Sequence, residues 1–267
     1  MSTLQLPPKP RVSPIKKIRK WSIAIFITAI YIWTYMSLEI KWDRIFSDKT
    51  IDSFGRVIPK LFSPDFSTFG KIMDKMLETI LIAYTGSLMA AIIAIPIGFL
   101  AASNMVKSKA LNTASKWVLN AIRAFPELVI AIIFVASIGP RPFAGVLAIA
   151  IGSTGMLGKL YSEVIESIDM KVVEAMEANG ANKIQILFYG IMPQVLPEFL
   201  SYSIYRFEID VRASSILGII GAGGIGTLIT IATMNRNWSE VGMILLVIIV
   251  VVTIIDIASS AIRKRIV

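Results

Sequence analysis

The sequence predicts an all-α membrane protein with six transmembrane helices. Of its 267 residues, 55% are hydrophobic and 17% are charged, against roughly 25% charged in a soluble domain. The mean hydropathy is +0.71. Apolar runs of about 20 residues, the length that crosses a hydrocarbon core of about 30 Å, recur along most of the chain. One continuous helical bundle accounts for this spread more simply than two globular domains.

The chain has no cysteine and no histidine. Disulfides, thiolate chemistry, imidazole bases and nearly all transition-metal sites are thereby excluded, and no metal or catalytic residue is expected. The formal charge of +9 sits largely in short basic clusters beside apolar runs. That placement suits anchoring against anionic lipid and argues against a nucleic-acid partner.

Residues 1–20 hold Pro7, Pro8, Pro10 and Pro14 among Lys9, Arg11, Lys16, Lys17, Arg19 and Lys20, a composition that buries no core and reads as a basic cytoplasmic tail. The first span is expected over 21–40. It is too long for a signal-peptide core and lacks a small-x-small cleavage pattern, so it reads as a retained helix. Residues 41–74 alternate charges with Phe46, Phe54, Leu61, Phe62, Phe66 and Phe69, as an extracytoplasmic amphipathic segment in the interface would.

From residue 75 to 265 a transmembrane domain is expected. Its second span runs over about 76–102, with Pro96 and Gly98 tolerated inside. A loop with Lys107, Lys109 and Lys116 precedes a third span over about 117–138, closed by Gly139-Pro140-Arg141-Pro142. The fourth covers about 143–160, a polar helical loop 161–190, the fifth follows Pro193 and Pro197 to about 220, and the sixth about 241–262. Both termini and the loops after the second and fourth spans then fall inside, in keeping with the positive-inside rule. Only the 41–74 segment has a charge count that does not favour its placement.

Charges inside spans need partners, because each costs at least ~2.5–3.5 kcal/mol in lipid. Arg206 and Asp210, Glu208 and Arg212, and Arg123 and Glu127 are each four apart, so each pair can neutralise along one helical face. Two roles stand for them: fixing helix packing, or lining a translocation pathway in which an arginine meets a tetrahedral oxyanion through its planar fork. Ser153 and Thr154 are candidate hydroxyl donors there. Asp256 has no partner within its own helix. An intramembrane enzyme using Glu127, Glu208 or Asp210 is disfavoured, since an arginine four residues away keeps each carboxylate ionised.

Two nucleotide-like patterns fail on context. Gly221-x-Gly223-x-x-Gly226 follows an apolar helix rather than a strand; with Gly224 its glycines suit a tight turn at the outer mouth. Gly158-Lys159 lacks a glycine at the required distance and is followed by Leu160 where a Ser or Thr would hold Mg²⁺. The chain is not expected to bind ATP.

The loop 161–190 contains Glu174-Ala175-Met176-Glu177-Ala178-Asn179-Gly180-Ala181 and runs to Pro193. Small residues let a partner approach a short helix, and Gly180 supplies a positive-φ turn between two helices. The segment resembles the Glu-Ala-Ala loop of binding-protein-dependent ABC importer permeases. Glu174, Ala175, Gly180 and Pro193 match at the family's spacing, while Met176, Gly190 and Met192 replace its Ala, Ile and Leu. Arg123-Ala124-Phe125-Pro126-Glu127-Leu128, Pro142 to Ala148, Leu157 to Leu160 and Tyr205 through Gly226 further resemble the phosphonate permease subfamily. Gly152-Ser153 departs from the His-Thr pair expected in many of its members, which leaves the exact substrate open.

The resemblance implies a type I ABC importer permease bundle in the inner membrane, with both termini cytoplasmic. It implies a homodimer working with two separate ATPase subunits, which would bind ATP and Mg²⁺, and an extracytoplasmic substrate-binding protein. The coupling loop around Glu174, Ala175, Gly180 and Ala181 would dock on the ATPase. The cargo implied is phosphonate, phosphite or phosphate; the alternative within transport is another small solute such as methionine.

Overall fold

A computed structural model describes residues 14–38, 41, 43 and 46–266. The chain divides into two units, residues 1–56 and 57–267. In the first, helix α1 (Pro14–Ser37) begins on a proline whose missing N–H is no loss at a helix start. It therefore takes in Lys16, Arg19 and Lys20, ahead of the expected start at residue 21. Residues 1–13 of the expected tail, and 39–40 of the expected first span, lie outside the described residues.

Helix α2 (Asp48–Leu61) falls within the segment 41–74 and is amphipathic. Ile51, Phe54, Ile58 and Leu61 recur at helical spacing on one side, and Asp52, Arg56 and Lys60 on the other. None of its residues is buried.

In the second unit, a single 3₁₀ turn over Phe66–Thr68 leads into helix α3 (Phe69–Ala101). Asp65 caps the turn, accepting from the Ser67 N–H (3.0 Å) and hydroxyl (2.7 Å). Those two donors hold its carboxyl below the ordinary aspartate range. At 33 residues α3 is about 50 Å long, so it exceeds the expected second span at its start and absorbs residues 69–74.

The expected third span is not one helix. It consists of α4 (Lys109–Ala124) and α5 (Glu127–Ile138), bent by 81°. Pro126 is the cause: it disfavours the helical conformation at the residue before it, and Phe125 is extended at φ −89°, ψ 126°. Helix α6 (Pro142–Glu166) follows, then α7 (Met170–Ala178), α8 (Lys183–Gln185), a wide π-type turn over Ile186–Ile191, and α9 (Met192–Leu217). A glycine turn leads to α10 (Ile225–Met234), a ten-residue helix absent from the sequence expectation, and α11 (Trp238–Ile266) ends the bundle.

Among the described residues, three helical stretches are long and apolar enough to cross a membrane: Phe66–Ala101, Pro142–Glu166 and Trp238–Ile266. Counting the pairs Lys109–Ala124 with Glu127–Ile138, and Lys183–Ile220 with Ile225–Met234, as bent spans brings the number to five; α1 is not among them.

Helix α6 is the centre of this unit. Of its most apolar stretch 61% is buried, against 33% and 28% for the two other long spans. Small residues make this possible: Ala83, Ala90 and Ala94 on α3 and Ala144, Ala148 and Gly155 on α6 are buried, and such residues let membrane helices approach closely. Near the α7 end, Tyr161 stacks on Phe199 with ring centroids 4.0 Å apart, and its hydroxyl meets that of Ser203 at 2.6 Å.

Candidate functional site

Helix α9 carries four of the predicted site residues, Arg206, Glu208, Asp210 and Arg212, on an unbroken 26-residue run. Two of them, Arg206 and Asp210, build a buried network with Ser153 and Glu127. Arg206 Nε donates to Ser153 Oγ (2.9 Å) and lies 2.9 Å from Asp210 Oδ1. Its Nη2 pairs with Glu127, and its Nη1 donates toward Met156 Sδ (3.2 Å). Asp210, fully buried, accepts from Ser87 Oγ (2.5 Å) and from Ser153 Oγ (2.9 Å).

The network therefore joins α3, α5, α6 and α9. The Arg206 side chain is 8% exposed and each of its three nitrogens has a protein partner. Thr154 donates to the Ala150 carbonyl of its own helix (2.6 Å) and is buried. The spacing rule holds for Arg206–Asp210 and Glu208–Arg212 and fails for Arg123–Glu127. The kink at Pro126 sends Glu127 to Arg206, and Arg123 is left exposed with no ion pair among the described residues. Gly152 makes the Glu127 reach possible: a Cβ there would stand 2.5 Å from Glu127 Cγ.

A second cluster lies where α9 meets α11. Glu208, 6% exposed, pairs with Arg212 through Oε1 and with Arg263 through Oε2 at 3.4 Å. The Asp256 carboxylate is near enough to act electrostatically on Glu208, so the aspartate without a partner in its own helix has a charged neighbour on another. Arg263 also donates to Ser260 Oγ (3.2 Å) and sits 5.3 Å above the Tyr205 ring. The Arg212 side chain is 51% exposed.

The glycine turn has positive φ at Gly221, Gly223 and Gly224 (92°, 83° and 75°), which glycine alone adopts without strain. Its amides meet α3: Gly224 N–H donates to Glu78 Oε1 (3.0 Å) and Ile225 N–H to Thr79 Oγ1 (2.7 Å). Lys75 pairs with Glu78 at 2.6 Å. Gly226, in the first turn of α10, packs on α9 near Ser215.

At the opposite end of α9, residues 167–191 form a hairpin closed by its own hydrogen bonds. Asp169 caps α7, accepting from Lys171 N–H at 3.0 Å, and its own N–H donates to Gln194 on α9. Gly180, at φ 79°, ends α7 as expected, with Gly180 N–H bonded to Glu177 O and Ala181 N–H to Met176 O. Asn182 and Gln185 form a reciprocal capping box, which satisfies two free amides at once. Glu174, Ala175 and Ala178 are exposed along α7 while Val173 is buried beneath. The α3–α4 loop stands at this same end: Ser103 N–H donates to Glu166 at 2.8 Å, and Lys116 pairs with Glu166 at 3.1 Å.

Sequence reasoning missed Ser87, Glu78, Thr79 and Arg263. A serine or threonine on an apolar helix carries no sign of what it will bond, and Arg263 stands in a run of basic residues, Arg263-Lys264-Arg265, whose spacing names no partner.

Among the described residues the chain is a helical bundle with a polar hairpin between two of its long helices. Residues 94–267 match the family described as binding-protein-dependent transport system inner membrane component, and the chain belongs to that family. It is 36% identical to the phosphite transport system permease protein PtxC of Stutzerimonas stutzeri, over 80% of this chain and 78% of that one. It is also 36% identical to the phosphate-import permease protein PhnE of Mycolicibacterium smegmatis, over 90% of this chain and 42% of that longer one. Among solved structures, a chain of the MetNI methionine ABC transporter aligns with a TM-score of 0.65 at 19% identity, covering 76% of this chain and 99% of that one; this likeness concerns the fold.

Proposed function

We propose that the chain is the permease subunit of an ATP-driven importer of phosphonate, phosphite or phosphate, in the inner membrane with both termini cytoplasmic and α1 as a further crossing. Two copies would form the channel, two separate ATPase subunits would bind ATP and Mg²⁺, and an extracytoplasmic binding protein would deliver the anion. The observation that carries the reading is the hairpin: the family's coupling-loop positions Glu174, Ala175 and Gly180 fall on its exposed side and at its turn. The similarity to phosphite and phosphate permeases supports the cargo.

The physical task of this chain is to hold two arrangements of similar energy that its partners bias differently. ATP-driven closure of the ATPase pair pushes on α7. Through Asp169–Gln194 and the packing of Tyr161 on Phe199, that push reaches α9 and α6. In this scheme the Arg206 network is a clasp between four helices, and no covalent chemistry is required. The test is uptake by proteoliposomes holding the permease with its ATPase, supplied with the binding protein. ATP-dependent entry of phosphate, phosphite or a phosphonate is expected; entry of methionine and none of these three would overturn the assignment.

A further inference from the structure

Helix α4 and the start of α5 lie along α6 in antiparallel register. A Cβ on Gly158 would stand 2.5 Å from Leu119 Cδ2, one on Gly155 2.8 Å from Ile122 Cγ2, and one on Gly152 2.5 Å from Glu127 Cγ. Beyond them Lys116 Nζ donates to Glu166 Oε1 at 3.1 Å. Glycines at three-residue spacing share one side of α6. They let α4 sit close and offer no side-chain ridge to stop it shifting lengthwise.

Both ends of this element are held by ions. At one end Asn112 Nδ2 donates to the Ala101 carbonyl of α3 (2.7 Å), and one turn on Lys116 pairs with Glu166. Glu166 is the last residue of α6, at the root of the hairpin that Asp169 caps. Its Oε1 also accepts from Ser103 N–H (2.8 Å), and Asn104 Nδ2 donates to the Ile165 carbonyl (2.7 Å). Carbonyls in the last turn of a helix lack a donor of their own, so the α3–α4 loop completes α6 where the hairpin begins. At the other end, the break at Pro126 delivers Glu127 to Arg206.

We infer that α4 is a strut that carries displacement of the hairpin root to the Arg206 clasp, with Lys116 and Glu166 as the positioning pair at its driven end; this rests on the coupling role proposed above. A push on the hairpin moves Glu166 with it, and Lys116 ties that movement to α4. The helix is unbroken from Lys116 to Ala124, about 12 Å of rigid rod. Past the bend, Glu127 passes the shift to Arg206 and so to Asp210 on α9. The pair itself adds little to folding: the Lys116 and Glu166 side chains are 35% and 30% exposed, and water screens pairs so placed. It joins the hairpin to α4 without being what holds the bundle together, so its removal tests transmission in a folded protein.

The experiment uses the assembled transporter in proteoliposomes. Glu166→Gln keeps an acceptor for Ser103 N–H and loses only the charge. Its solute uptake per ATP hydrolysed should fall about fivefold or more, the scale on which two sites in one molecule influence each other, with assembled yield unchanged. Lys116→Met should act alike, the double variant should lose no more than either single one, and Lys116→Arg should keep the parent ratio. A packing role would lower yield, hydrolysis and uptake together and leave the ratio untouched. The chain has no cysteine, so Ala121→Cys on α4 and Val172→Cys on α7, both exposed, can carry spin labels. Their separation within one chain should stay the same when ATP binds, and should broaden on ATP binding once Glu166→Gln is added. A separation that shifts with ATP in the parent would overturn the strut. Either readout unmoved by Glu166→Gln, or additive losses in the double variant, would overturn the pair. The ratio is taken with whichever solute the parent accumulates, so uptake of methionine and no oxyanion would sink the cargo proposed above and leave the strut standing.

Discussion

The sulfur of Met176 on α7 lies against Gly190 in the π-type turn, at a distance that would leave only 2.9 Å to a Cβ on residue 190. These are two of the three positions at which the loop departs from the family pattern, which has a small residue at the first and a large one at the second. The departures are complementary in space: the long thioether fills the volume that a branched side chain would occupy. Gly190→Ile alone should therefore overpack the hairpin, at a cost of about 1–3 kcal/mol, and Met176→Ala with Gly190→Ile should recover most of it. Thermal denaturation of the purified permease measures both; a double variant as unstable as the single one would refute the compensation.

The four-helix clasp gives a second expectation. Asp210→Asn or Glu127→Ala removes a charged partner of the enclosed Arg206, and breaking a buried pair in this way costs about 3–5 kcal/mol. Arg206→Ala should lower assembled yield and uptake in parallel, as a packing residue does. Uptake falling well below yield would return Arg206 to the pathway.

Gly152→Val acts on the same clasp from the other side, since its side chain would occupy the space of the Glu127 methylene. Loss of stability comparable to that of Glu127→Ala is expected, with little further loss in the double variant, because both break one contact. Full additivity of the two losses, read by thermal denaturation, would show that they act on different interactions.

Gly180→Val forces a β-branched residue to φ 79°, a conformation costing about 1–2 kcal/mol for a residue with a Cβ. ATP hydrolysis by the assembled transporter should continue while uptake falls, with membrane insertion intact. Uptake at the original rate per ATP would count against a coupling role for the turn.

Thr79→Ala removes the acceptor for the Ile225 amide at the start of α10, a loss of the kind that costs about 0.5–2 kcal/mol at a helix start. Hydrogen exchange at residues 224–226 should quicken with little change at 180–185. Unchanged exchange at the glycine turn would show that α3 does not hold it.

The membrane class was readable because apolar length is a direct requirement of the bilayer, and the hairpin turn because the positive φ that Gly180 permits is a local property. Arg206–Asp210 and Glu208–Arg212 were readable for the same reason: the spacing rule needs only an unbroken helix. It misled at Arg123–Glu127 because an apolar window scores alike whether straight or bent, and Pro126 bends it. Helix α10 escaped notice, being too short to separate from the glycine turn. Ser87 and Arg263 depend on which helices become neighbours, a property of tertiary packing that no spacing within one segment encodes.

Asp169 caps the start of the hairpin, and Gly180, Asn182 and Gln185 close its central turn on its own backbone. A docking element of this kind reaches its partner already ordered, and avoids the roughly 2–5 kcal/mol that segments folding upon association give up. Sequence changes on its outer side should then show mainly in how long the complex lasts, with the speed of encounter little altered.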